Sequence, residues 1–120
     1  MNSAAHGQDL RQRTKDFAVR VIHLFIAAPP NPAAQVMARQ MLRSGTSVGA
    51  HYREAYRARS TAEFISKMEG ALQELDETTY WLELLVETGQ LSHKRLGPLM
   101  AEADELIRIL VACVKAAKGK

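Results

Sequence analysis

Apolar residues recur at three- and four-residue steps along nearly the whole chain, and the interruptions of that rhythm divide it into helical segments. Leu10, Phe17, Val21, Leu24 and Ala28 form the first stripe, which stops at Pro29-Pro30 because proline cannot continue a helix. Asn31 followed by Pro32 restarts it, an N-cap residue with proline at the first helical position, and the second helix runs to about Arg57. Ser60-Thr61-Ala62-Glu63 resembles a capping box, and opens a third helix with Phe64, Met68, Leu72, Leu75, Leu82 and Val86 on one side. Gly89 is a natural C-cap, with Leu91 placed as its hydrophobic contact. Ser92 starts a fourth helix on which Leu99, Ala103, Leu106, Leu110, Cys113 and Val114 share a face; Pro98 requires either a start near Leu96 or kinked first turns. The expected fold is all-α, an antiparallel up-and-down four-helix bundle over residues 10–117, with flexible tails at 1–9 and 118–120.

The second helix has two distinct faces. At about 100° per residue, Met37, Met41, Ser44, Val48, Tyr52 and Ala55 fall together, whereas Arg39, Arg43, Arg53 and Arg57 lie nearly opposite, with Arg59 just beyond. A strip of Ala38, Gly45 and Gly49 separates them. Interior glycines cost a helix about 1 kcal/mol each relative to alanine, so Gly45 and Gly49 are expected either to admit another backbone at a subunit interface or to mark a break near Ser44–Thr46. On the first helix, Val19, Ile22 and Ile26 gather opposite the core stripe. Contiguous apolar surface of that kind points to a second subunit, and hence to a homo-oligomer.

Composition adds bounds. A chain of 120 residues is one domain with room for a core, and scarce aromatics leave that core to aliphatic residues. The single Cys113 cannot form an internal bridge, and neither a secretory leader nor a membrane-length apolar run is present, so a reduced, cytoplasmic protein without membrane partners is expected. Charge is uneven: residues 10–59 carry nine Lys/Arg against two acids, whereas residues 60–120 carry seven against ten. That split suits docking of oppositely charged surfaces or attraction of a polyanion.

No catalytic constellation accompanies it. A di-metal bundle would need Glu-x-x-His pairs on two helices, but His51 and Glu54 supply the spacing once and in reverse. Gly45 and Gly49 lack the lysine and strand of a phosphate loop, and Cys113 on an apolar stripe reads as an inert core thiol. No catalytic residue, metal site or cofactor is therefore expected. Tyr80 and Trp81, off the main stripe, are candidate interface anchors. The arginine face (Arg39, Arg43, Arg53, Arg57, Arg59) is the functional lead, with three readings. It is a solvated surface, or it pairs with the acidic flank Glu69, Asp76, Glu83 and Glu87 of a neighbouring subunit, or it lines a groove for RNA or DNA, since guanidinium donors match phosphate oxygens.

The order of certain residues resembles the family of proteins encoded by intervening sequences in 23S ribosomal RNA genes. In the second helix Arg43, Ser47-Val48 and Glu54 match the family pattern, while His51 stands where Asn is usual and Ala55 where Gly is usual. In the third helix Ser60, Glu63-Phe64 and Glu69-Gly70-Ala71-Leu72-Gln73-Glu74-Leu75 match, and a leucine-rich run leads to Gly89-Gln90-Leu91. The resemblance implies a four-helix protomer assembled into a pentameric ring, with no established catalytic activity. Accessory proteins of diversity-generating retroelements look similar in architecture; that likeness implies nucleic acid and a reverse transcriptase as partners.

Overall fold

The second, third and fourth helices each begin at a local chemical signal, and the third also ends at one. In the computed structural model, which describes the backbone of residues 3–119 and the side chains of residues 9–119, the elements are α1 (Ser3–Ile26), α2 (Pro32–Tyr56), α3 (Thr61–Glu87) and α4 (His93–Lys118). The Asn31 side-chain oxygen accepts the Ala34 N–H at 2.9 Å, with Pro32 at the first helical position. Ser60 accepts from Glu63 N–H at 3.0 Å, and Ser92 from Arg95 N–H at 3.2 Å. Gly89 has φ +73, and the Gln90 N–H reaches the Leu85 carbonyl at 2.9 Å while the Gly89 N–H reaches that of Val86 at 3.0 Å. This is a Schellman end, followed by Leu91 turned into the core.

Two boundaries differ from the expectation. α1 starts at Ser3 rather than Leu10, because Ala4, Ala5 and Gln8 favour helix and Gly7 alone does not stop it; Met1, Asn2 and Lys120 lie outside the described residues. α4 runs unshortened from His93 with Pro98 inside it. Proline in the second turn removes one N–H, whose acceptor would be the Lys94 carbonyl, and both residues lie on the exposed face. α2 is continuous through Gly45 and Gly49.

The four helices pack antiparallel in chain order, most extensively α2 on α3 and least α1 on α4. Phe17, Met41, Met68, Leu75, Leu82, Leu85, Leu96, Leu106 and Leu110 fill the centre. α3 lies between α2 and α4, so its buried face is broad: Ala71, Thr78 and Leu85 occupy the middle, with Phe64, Leu72 and Val86 on the flanks. The Ser44 and Thr78 hydroxyls meet 2.8 Å apart between α2 and α3, and each also lies near a carbonyl of its own helix, Gln40 at 3.0 Å and Glu74 at 2.7 Å. Two protons serve these three contacts, so one hydroxyl donates across the interface while the other donates along its helix.

The glycines expected at a subunit interface receive α1 of the same chain. A Cβ on Gly45 would stand 2.8 Å from Val21 Cγ2, and one on Gly49 would stand 3.3 Å from Thr14 Oγ1. The close approach seen at both glycines is intramolecular, with α1 of the same chain against this side of α2. Between α1 and α4 the link is polar: Arg13 reaches Glu102 at 2.8 Å and Glu105 at 3.2 Å. Those carboxylates raise the Arg13 pKa above its ordinary value, the hydrogen bond to Glu102 being the main cause.

Candidate nucleic-acid interface

The arginines of α2 all lie on its solvent side, but they do not act as one stripe. Arg43 leans toward α3, where its guanidinium meets Glu77 at 2.7 Å and Glu74 at 3.2 Å. Hydrogen bonding to Arg43 is the main cause of a lowered Glu77 pKa. Arg53 leans the other way and lines a cleft against α1. Arg39 and Arg57 point between these two directions, as about 100° per residue requires, and Arg59 follows the helix end. Arg39, Arg53, Arg57 and Arg59 are exposed, and among the described residues none of them has an ion pair.

The matched positions Arg43 and Glu54 both tie α2 to α3 rather than to each other, since Glu54 Oε1 lies 3.5 Å from Lys67 Nζ. His51 rests on Gly70: a Cβ there would come 2.9 Å from the imidazole Nδ1, a buried atom without a hydrogen-bond partner. The residue that departs from the family pattern thus sits on one that keeps it. On the acidic flank of α3, Glu69 is taken by Lys118 of the same chain at 3.4 Å, while Asp76, Glu83 and Glu87 are exposed.

Three other expected positions remain at the surface. Val19, Ile22 and Ile26 are 43%, 39% and 74% exposed, on the side of α1 turned from the core. Tyr80 is exposed and meets Trp81 edge to face at 5.1 Å. Cys113 is half-buried, and burial pushes its thiol pKa up, the opposite of what a nucleophile needs. No helix among the described residues is long and apolar enough to cross a membrane.

Pattern reading missed two cationic side chains that complete the α1 side of the arginine surface, Arg11 and Lys15. Their spacing of one helical turn was a visible signal, but which face of α2 they oppose depends on the antiparallel register.

The model of the 23S rRNA-intervening sequence protein family matches residues 7–112. Among solved structures, the chain is similar to a protein of unknown function from the S23 ribosomal protein family of Bacteroides thetaiotaomicron VPI-5482. The two share 37% identity and a TM-score of 0.85, over 91% of this chain and 97% of the other. A search of the curated proteins finds no match.

Proposed function

From membership of the 23S rRNA-intervening sequence protein family, to which this chain belongs, we propose that it is a non-catalytic helical-bundle protein that assembles with its own copies and binds RNA or DNA. The carrying observation is the contrast along α2 and the turn that follows it: Arg43 is neutralised by two carboxylates, whereas Arg39, Arg57 and Arg59 stand exposed without one. An unpaired guanidinium keeps both its charge and its forked donors for phosphate. Repetition of the surface in an assembly would multiply a weak protomer affinity.

Fluorescence anisotropy with a labelled RNA hairpin tests this through paired variants. Arg57→Ala should weaken binding by about tenfold, the equivalent of one charge-assisted contact near 1.5 kcal/mol. Arg43→Ala should change it far less, because that charge is already engaged. Equal effects from both variants, or none from Arg57→Ala, would sink the assignment.

The exposed Val19, Ile22 and Ile26 favour a second reading, a protein-interaction scaffold whose partner is another copy or, in the retroelement setting, a reverse transcriptase. Apolar residues grouped on one side of a helix are suited to burial against a partner. Ile22→Asp should lower the molar mass measured by light scattering; an unchanged mass would remove this patch from the subunit contact.

A further inference from the structure

On the α1 side of α2 lies a shallow open cleft of about 220 Å³ lined by Arg11, Gln12, Lys15 and Arg53. Arg11 and Lys15 are one turn apart on α1, and the packing of α1 on α2 sets Arg53 opposite them. The lining holds three cations and no carboxylate, and among the described residues none of the three has an ion pair. Like charges facing one another across a cleft repel, and an anion seated between them relieves that repulsion. Arg11 is also held in place: its guanidinium carbon lies 5.4 Å from the centroid of the Tyr56 ring. A cation–π contact uses the flat face of the guanidinium and leaves its N–H edge for another acceptor. At the cleft's border, the Gln12 amide donates to Asp16 Oδ1 at 2.8 Å, along α1.

We propose that this cleft seats one phosphodiester of a nucleic-acid strand between Arg11, Lys15 and Arg53, where the strand passes from the outer face of α2 onto α1. The proposal rests on the nucleic-acid reading above and adds two side chains from a helix that reading does not use. Tyr56 positions Arg11, Lys15 supplies a mobile charge beside it on the α1 wall, and Arg53 faces both from α2.

The test pairs two probes on the full chain. In the first arm, a labelled single-stranded oligonucleotide is titrated at several salt concentrations against wild type, Lys15→Ala and the Arg11→Ala/Lys15→Ala double variant. The double variant should bind at least tenfold more weakly, with a log–log salt slope shallower by about 0.7 for each phosphate it leaves unneutralised. Lys15 is exposed, so Lys15→Ala keeps the test valid if the double variant folds poorly. In the second arm, inorganic pyrophosphate is titrated while the Arg11 and Arg53 side-chain N–H resonances are followed by NMR. Movement of both resonances, together with the weakened oligonucleotide binding, supports the site. Oligonucleotide binding that the α1 variants leave unchanged overturns the cleft while the broader reading stands. Resonances that move with pyrophosphate in a protein that binds no oligonucleotide overturn the phosphodiester and the nucleic-acid reading together, leaving a free-phosphate site. Silence in both arms overturns the cleft and the nucleic-acid reading alike.

Discussion

At Gly45 a single methyl group decides how closely α1 can approach α2. Val21 is fully buried and β-branched, so its methyls cannot swing aside from a new Cβ placed 2.8 Å away. Overpacking of this kind costs about 1–3 kcal/mol, against a helix-propensity gain of about 1 kcal/mol. Gly45→Ala should therefore lower the urea midpoint, Gly49→Ala should lower it less, and Val21→Ala should recover part of the Gly45→Ala loss. The Arg43–Glu77 pair makes a pH prediction. Arg43 holds Glu77 below its ordinary value of 4.5, so the pair's contribution is present above that pH and is lost as the pH falls through the lowered folded value. Glu77→Gln should flatten the acid limb of the stability profile, and an unaltered limb would place the pair outside the folding balance. The two glycines show what periodicity can and cannot tell. Their position on α2 announced a close approach, but a helical angle names a direction and not the helix that arrives from it.

The elements themselves were largely legible because their signals are local. Asn31-Pro32, Ser60, Gly89 and Ser92 each satisfy backbone groups within a few residues, so the caps could be read before any packing was known. The clasp between α1 and α4 was not legible, since Arg13 and Glu102 are 89 positions apart in the chain. It also sits at the least extensive helix contact, where few apolar atoms share the load. Arg13→Ala leaves Glu102 partly enclosed without its cation, a loss of roughly 1–3 kcal/mol for a hydrogen bond to a charged group. Amide exchange should accelerate in α1 and α4 before α2 and α3. Uniform acceleration across all four helices would mean that the clasp is not a local fastening.

On the scale of the whole molecule, the basic and acidic halves of the chain become different surfaces of one bundle. Some of the opposite charge is spent internally, through Arg43 with Glu74 and Glu77, Lys67 with Glu54, and Lys118 with Glu69. The charges left over include the cations along the outer side of α2 and the adjoining turn of α1, and the anions Asp76, Glu83 and Glu87. Composition revealed the imbalance, but only the register of the helices separates charges that hold the fold from charges left for a partner. The salt dependence of duplex DNA binding probes that separation head-on, in wild type and in the Arg39→Ala/Arg57→Ala/Arg59→Ala variant, with molar mass followed in parallel. If these arginines serve a polyanion, the variant keeps its mass and its log–log slope becomes shallower by about 0.9 for each duplex phosphate it leaves unneutralised. An identical slope, or a variant that falls apart into protomers, would show that they do not.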